Sequence, residues 1–538
     1  NEFTLIMQQT TMRKIVTTAI LCAGLAGFTA CSDFLDEEPK SALTLETYYQ
    51  TESDIIGNVN YLYRNGVPSL LSDMSGAYRG SSVSVTSMLT GYFQSEYEGQ
   101  EVDFIYSRQL TRQNFTASVC TYWSNDTWDD CYEAINVANA VLKYIDNVDM
   151  SSPEQYKAEA RFFRAWNYFY LVKAFGDVPM MTEPTEDGDA VTYPTRTAEE
   201  TIYTDIIIPD LQEAVENLPE ATFAGNSHRA TKYAAEMVLA DVYMMRGQYS
   251  EAVPLLQDVI GSGLFSLTQN NDLELNSAFN LLRENDDLAE VIYAYERDSQ
   301  VSNSGNLPAH AFNLAAGSAG LFETYSLIVN VYNVSDRYQN VYEENDLRIQ
   351  PNQFFHWTYT NPNTGQTFTF EDQTGNWYWY DEEALLETNI GTKDWNIYRY
   401  AETLLSAAEC IAQTSGVTAE AAGYLAQVKA RANMEGKSAD EIATELQGFG
   451  QQAFIEECWK ERLREFPLEM KIWDDCVRTM KFPDISETNR GEVTFVDLIG
   501  ATNGSGATFK ETDLHWPIPV EEIQRNPNLT QNDGYSAQ

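Results

Sequence analysis

Two aromatic-rich segments of the chain have the residue types best suited to contact with a sugar. The first spans residues 354–359 and the second residues 377–380, with turn-rich sequence between them. This pattern predicts a β-hairpin with aromatic side chains on both arms. Strand alternation would then place Trp377 and Trp379 on one face. Six residues are candidate sugar contacts: Trp357, Tyr359, Trp377, Tyr378, Trp379 and Tyr380.

The chemistry expected of these residues is stacking. A flat aromatic ring covers the apolar C–H face of a sugar at little entropic cost, and nearby Asn, Asp and Arg side chains can bond its hydroxyls. The alternative interpretation is that the same rings pack the segment onto the rest of the protein.

Catalytic and metal centres have no comparable signal. The sequence contains 80 Asp and Glu residues, so close carboxylate pairs arise by chance, whereas a glycosidase needs two at a defined separation. The four histidines are scattered and no Cys-x-x-Cys pair exists, which disfavours a zinc site. Phosphate-binding and nucleophile-elbow motifs are also missing. We therefore expect no enzyme and no cofactor, with a structural calcium ion left open by the acidic loops.

Helical periodicity dominates residues 40–300 and returns after residue 396. The clearest segment, residues 157–175, has apolar residues at three- and four-residue steps and ends at Gly176. A second segment, residues 198–218, contains Pro209, which should kink or split it.

The spacing of residues 230–263 and 397–433 is typical of tetratricopeptide helix pairs, with small residues at close helix crossings. The sequence therefore predicts a mainly α fold, a tetratricopeptide-like helical superhelix. Residues 301–396 are rich in Asn, Gly, Thr and aromatics and are predicted to form an irregular, loop-rich insert with short strands. The expected segments are 1–30, 31–300, 301–396 and 397–538.

The N-terminal segment resembles an export signal. A basic pair after Met12 precedes an apolar run over residues 15–28 and then Cys31, a pattern typical of a lipoprotein signal peptide. We expect Cys31 to be lipidated and to anchor the protein to a membrane. Plain secretion is the alternative. Five cysteines follow Cys31, so at least one thiol is free, and a Cys120–Cys131 bridge is left open.

The net charge of −46 argues against a nucleic-acid partner, because such partners require a basic surface. It does not disfavour a neutral ligand such as a sugar.

Several motifs, in order from residue 31 to residue 532, resemble those of SusD/RagB lipoproteins. They are CSDFLD at 31–36, AEARFFRAWNYFYLVKAFGDVP at 158–179, RYAE at 399–402, KARA at 429–432, and WPIP with NPNLTQN between 516 and 532. One departure follows Glu461-Arg462, where the chain continues with Arg464-Glu465-Phe466-Pro467. We interpret it as a structural variation. The chain is thus identified as a member of the SusD/RagB family.

This resemblance implies a superhelix packed against an irregular glycan-binding part. It also implies a lipid-anchored position on the outer membrane, facing the cell exterior, where the protein delivers glycan to a SusC-like TonB-dependent transporter. Catalysis is not implied. By position, residues 78–97 resemble a loop that contributes ligand contacts in the family, with candidates Arg79, Tyr92 and Tyr97. A secreted glycoside hydrolase and a peptide-binding or protein-interaction scaffold are the alternatives.

Overall fold

The computed structural model describes residues 45–72, 86–94, 118–186, 192–300, 333–369, 375–388 and 390–535. The predicted signal and lipidation site at Cys31, as well as Arg79 and Tyr97, lie outside these residues. The chain divides at Tyr48 into two units, and the described part of the first is the single helical turn α1, Leu45–Tyr48.

Helices are the main regular structure in the described part of the second unit. In chain order they are α2 Glu52–Leu62, α3 Val67–Ser72, α4 Ser118–Tyr144, α5 Pro153–Phe175, α6 Glu199–Ile202, α7 Ile208–Asn217, α8 Lys232–Met245, α9 Tyr249–Gly261, α10 Ala278–Glu284, α11 Asp336–Gln339, α12 Tyr400–Ser415, α13 Ala419–Ala432, α14 Ala439–Leu446, α15 Gln451–Glu465, α16 Ile472–Thr479 and α17 Val520–Arg525. The strands are short and pair in twos. They are β1 Phe93–Gln94, β2 Val291–Tyr295, β3 Asn333–Val334, β4 Thr358–Thr360, β5 Thr367–Thr369, β6 Trp395–Arg399, β7 Lys481–Ile485 and β8 Val493–Asp497.

Helices pack on one another in succession along the chain. Helix α4 packs on α5, α5 on α7, α7 on α8, α8 on α9, α9 on α12, and α12 on both α13 and α15. The two predicted pairs correspond to α8–α9, with Gly247 in the turn, and α12–α13. The mainly α, tetratricopeptide-like prediction is therefore confirmed.

Local sequence accounts for the bounds of the predicted helices. Helix α5 begins one turn earlier than predicted because Pro153 suits its first position, and it ends at Gly176, whose φ is +70°. The segment with Pro209 is split as expected. A π-helical turn, Tyr203–Ile207, separates α6 from α7 because Pro209 has no N–H to close a regular helical bond.

The insert forms a shorter hairpin than predicted. Strands β4 and β5 pair Thr358 with Thr369 and Thr360 with Thr367, and the side chain of Asn361 accepts two backbone N–H bonds that close the turn. Residues Trp377–Trp379 are not the second arm but a 3-10 helix, so the predicted alternation of their side chains is wrong.

The pairing of β2 with β6 links the chain before the insert to the strand that leads into α12. The boundaries at 300 and 396 stay predictions, since residues 49–538 cluster as one unit. Among the described residues, no helix is both long and apolar enough to span a membrane.

Cys131 is free and buried. It lies on the same helix, α4, as Cys120, and eleven residues of helix separate their Cα atoms by about 16 Å. A disulfide needs less than about 7 Å, so the bridge left open by the sequence does not form.

Candidate functional site

Four rings of the insert form an aromatic cluster, made of Trp357, Tyr359, Trp377 and Tyr380. Trp377 and Tyr380 are stacked, with centroids 4.5 Å apart and planes at 11°. Trp357 lies 5.1 Å from Trp377, and Tyr359 lies 5.5 Å from Tyr380. None of the four is more than 6% exposed, so the cluster is largely interior.

Helix α10, which precedes the insert, fixes the orientation of the cluster. The indole N–H of Trp377 donates to Asn280 Oδ1 at 2.7 Å. The Arg283 guanidinium lies 4.6 Å from the Trp377 ring and 5.6 Å from the Tyr380 ring, and it donates to the Tyr380 carbonyl at 3.0 Å. These contacts fix the Trp377 and Tyr380 rings relative to the Arg283 guanidinium. Burial lowers the pKa of Arg283.

A cleft of about 360 Å³ opens beside the cluster, and we call it the aromatic cleft. Its aromatic lining consists of Tyr378, Trp379, Tyr380 and Trp395. Trp379 and Trp395 lie 6.3 Å apart, and each exposes less than a tenth of its surface. A concave space of about 300–1,000 Å³ with apolar walls and a few polar groups is typical of small-ligand sites.

The polar lining of the aromatic cleft is mostly acidic. It contains two cationic residues, Arg283 and Lys393, and seven carboxylates: Glu284, Asp286, Asp381, Glu382, Glu383, Asp394 and Glu469. The backbone N–H of Arg297 donates to Asp394 Oδ1 at 2.8 Å. Burial outweighs that bond and raises the pKa of Asp394 to about 6.

A second opening, the hairpin groove, has a volume of about 700 Å³ and is lined by Trp357, His356, Arg337, Arg490 and Thr358 among others. Trp357 lines this groove with only 1% of its surface exposed. One ring nitrogen of His356, Nε2, lies 2.6 Å from Gln339 Oε1.

Two family models match the chain in succession between residues 33 and 535. The model of starch-binding proteins that associate with the outer membrane matches residues 33–244, and the SusD family model matches residues 289–535. The chain belongs to the SusD family. The description of the first model places this SusD-like protein among proteins associated with the outer membrane.

Curated relatives extend over nearly the whole chain. SusD-like protein P25 from Formosa agariphila is 25% identical over 94% of this chain and 95% of its own length. SusD-like protein P2 from the same organism is 26% identical over 97% and 99%.

Solved structures have the same fold. A SusD superfamily protein from Parabacteroides distasonis is 26% identical, with a TM-score of 0.76 over 90% of this chain and 99% of that one. Surface glycan-binding protein A from Bacteroides thetaiotaomicron, solved in complex with laminarihexaose, is 17% identical, with a TM-score of 0.65 over 90% and 100%.

The structure separates the six aromatic candidates of this SusD-like protein into two groups. Tyr378, Trp379 and Tyr380 line the aromatic cleft. Trp357 lines the hairpin groove instead, and Tyr359 and Trp377 line neither opening but pack within the cluster. Trp377, Tyr378 and Trp379 form the 3-10 helix, whose three residues per turn point in three directions, so Trp377 and Trp379 do not share one face as a strand would require.

Tyr92 has a packing role in place of the expected ligand contact. It is fully buried, and its ring stacks on Phe482 with centroids 5.6 Å apart. Its hydroxyl donates to the Pro483 carbonyl at 2.6 Å and accepts from the Ile485 N–H at 3.2 Å. Tyr92 therefore presents no surface to a ligand.

Sequence reasoning missed most of the polar residues in the cleft. Trp395 lies just before the RYAE motif, and its type and nearness to Trp379 could have suggested it. Arg283 lies in a region expected only to be scaffold, and nothing in its local sequence marks it.

Proposed function

We propose that this SusD-like protein is a surface-exposed lipoprotein, anchored through Cys31, that captures an oligo- or polysaccharide. It then delivers the glycan to a SusC-like TonB-dependent transporter and does not itself catalyse a reaction. The observation that carries the proposal is the aromatic cleft, in which three predicted ligand residues, Tyr378, Trp379 and Tyr380, come together with Trp395. Family membership and the laminarihexaose complex of a protein with the same fold support it.

The cleft offers both kinds of contact that a sugar needs. The rings form an apolar floor for the C–H face of a pyranose. Around them, the side chains of Thr392 and Asn396 offer hydrogen bonds to hydroxyl groups. The polar and apolar contacts together would fix the orientation of the glycan.

Replacing Trp379 by alanine is expected to weaken glycan binding about tenfold or more, because a central aromatic contact commonly contributes about 2 kcal/mol or more to binding. The protein lacking residues 1–31 is first screened on native gels containing individual polysaccharides. The dissociation constant for a glycan that retards it is then measured by calorimetry for the parent protein and the variant.

Tyr193→Ala provides a matched control, because Tyr193 is 47% exposed and does not line the cleft. Melting temperatures establish that both variants fold, and Trp379→Phe, which keeps a ring, should retain part of the affinity. Unchanged affinity in folded Trp379→Ala would place the glycan elsewhere. If no polysaccharide retards the parent protein, or if the glycan is hydrolysed, the proposed function is wrong.

A further inference from the structure

The acidic groups of the aromatic cleft differ in how they are paired. Lys393 forms an ion pair with Asp286, and Arg283 forms one with Glu284. Glu469 pairs with Arg399 at 2.7 Å. The other four carboxylates, Asp381, Glu382, Glu383 and Asp394, make no salt bridge within the described part of the chain.

At least two of these four carboxylates are held in place by the protein. The Tyr380 hydroxyl donates to Glu382 Oε2 at 2.9 Å, which ties this carboxylate to the aromatic floor. The Ala384 N–H donates to Asp381 Oδ1 at 3.0 Å, at the start of the π-helical turn Ala384–Thr388. The carboxylates of Asp381 and Glu382 are therefore fixed beside the aromatic rings, as part of the cleft lining.

Both cationic residues of the cleft, Arg283 and Lys393, already form ion pairs within the protein. Besides its ion pair, Arg283 is packed against the Trp377 and Tyr380 rings, with only 8% of its side chain exposed. Elsewhere in the protein, buried carboxylates such as Glu290 and Glu465 are matched by arginines. Among the described residues that line it, the cleft thus has excess negative charge and no unpaired cation to receive an anionic ligand.

Such a surface treats neutral and anionic sugars in opposite ways. Hydroxyl groups of a neutral sugar can donate to carboxylate oxygens, and hydrogen bonds to charged acceptors are the stronger kind. A uronate or sulfate group would instead face like charges at short range in a partly enclosed space, where solvent screens poorly.

We infer that the aromatic cleft accepts uncharged glycans and rejects glycans that carry carboxylate or sulfate groups. The inference rests on the proposed function, of which it names the substrate class.

The test compares charged and uncharged polysaccharides on native affinity gels with the protein lacking residues 1–31. Laminarin, xyloglucan, galactomannan and pullulan are the neutral probes, and polygalacturonate, alginate and chondroitin sulfate are the anionic ones. At least one neutral probe should retard the protein, and every anionic probe should bind at least about tenfold more weakly.

A charge reversal then locates the effect. Glu383→Lys should raise retardation by polygalacturonate, relative to the best neutral probe, several-fold. Glu387→Lys is the matched control, because Glu387 is exposed on the π-helical turn that directly follows Glu383 but does not line the cleft. For Glu387→Lys, the retardation by polygalacturonate relative to the best neutral probe should stay near the value for the parent protein.

The outcomes separate the two proposals. Stronger binding of an anionic probe than of any neutral one would overturn the charge selectivity while leaving glycan capture intact. Equal responses of Glu383→Lys and Glu387→Lys would assign the selectivity to the overall charge of the protein and overturn its assignment to the cleft. If no probe binds, glycan capture fails and the selectivity fails with it.

Discussion

Glu465→Gln is expected to lower the free energy of unfolding by about 3–5 kcal/mol, the usual cost of removing one partner from a buried ion pair. Glu465 is at the end of α15 and is almost completely buried. Its two oxygens accept from three arginines: Arg431 at 2.5 Å, Arg399 at 3.2 Å and Arg348 at 3.0 Å. Glutamine keeps the shape of the side chain but removes the charge that these arginines share.

The three arginines come from separate parts of the fold. Arg348 lies in the 3-10 helix Leu347–Ile349, Arg399 at the end of β6, and Arg431 in α13. Glu290 accepts from Arg399 at 2.5 Å and from Arg431 at 2.6 Å, which closes the network. Without the charge of Glu465, the remaining acidic groups must balance the same buried cations, so the junction of insert and superhelix loses stability.

Urea unfolding of the parent protein and the variant measures the effect through the shift in midpoint. Glu445→Gln is the matched control, since Glu445 forms a salt bridge with Lys437 at 2.9 Å and is 58% exposed. Surface pairs of that kind contribute about 1 kcal/mol or less. The assignment of a central role to Glu465 fails if both variants shift the midpoint equally.

The sequence did not predict this network. Arg464-Glu465 departs from the family pattern, and the sequence alone explains the departure only as structural variation. Its partners are 117, 66 and 34 residues away along the chain, and no local period relates such positions. These ion pairs form only when the helices and the insert have packed together, so a single sequence does not indicate them.

The helices were predictable for the opposite reason. The end of α5 at Gly176 and the break before Pro209 each depend on residues within one or two turns. Periodicity over the pairs α8–α9 and α12–α13 likewise reports which faces are buried. Local signals of this kind are sufficient to predict these helices.

The candidate site was predictable from the sequence only in part. Residue type correctly drew attention to residues 354–380, but it could not tell which rings face outward. That choice depends on Asn280 and Arg283 in α10, which bind Trp377 and Tyr380 from outside the insert. Three of the six aromatic candidates therefore line the cleft, and the other three support it.

Glu236→Gln is expected to raise the free energy of unfolding by about 2 kcal/mol at neutral pH. Glu236 lies in α8 and its side chain is 3% exposed. Burial, followed by a hydrogen bond to Asp258 and repulsion from it, raises the pKa of Glu236 from 4.5 to about 9. The pKa of Asp258 is lowered, chiefly by its hydrogen bond from Lys232, so the proton stays on Glu236.

The sign follows from proton uptake. Between pH 4.5 and about 9 the folded state keeps a proton on Glu236 that the unfolded state has released. The contribution of Glu236 to stability is therefore greatest below pH 4.5 and falls as the pH rises towards 9, by up to about 1.4 kcal/mol per pH unit. Glutamine abolishes this loss, while its amide N–H can still donate to Asp258 across the α8–α9 pair.

Unfolding in urea at pH 5 and pH 7.5 separates this effect from ordinary packing changes. The increase in the free energy of unfolding caused by Glu236→Gln should be small at pH 5, because Glu236 is then partly protonated in the unfolded parent protein as well as in the folded one. The increase should be larger at pH 7.5. Glu220→Gln is the control: Glu220 also contacts Lys232, at 3.1 Å, but is 69% exposed, so its change should stay within about 0.5 kcal/mol at both pH values. An equal gain at both pH values, or a loss at pH 7.5, would mean that Glu236 is ionised in the folded protein. In that case Lys232, 3.9 Å away, would have to outweigh both burial and Asp258.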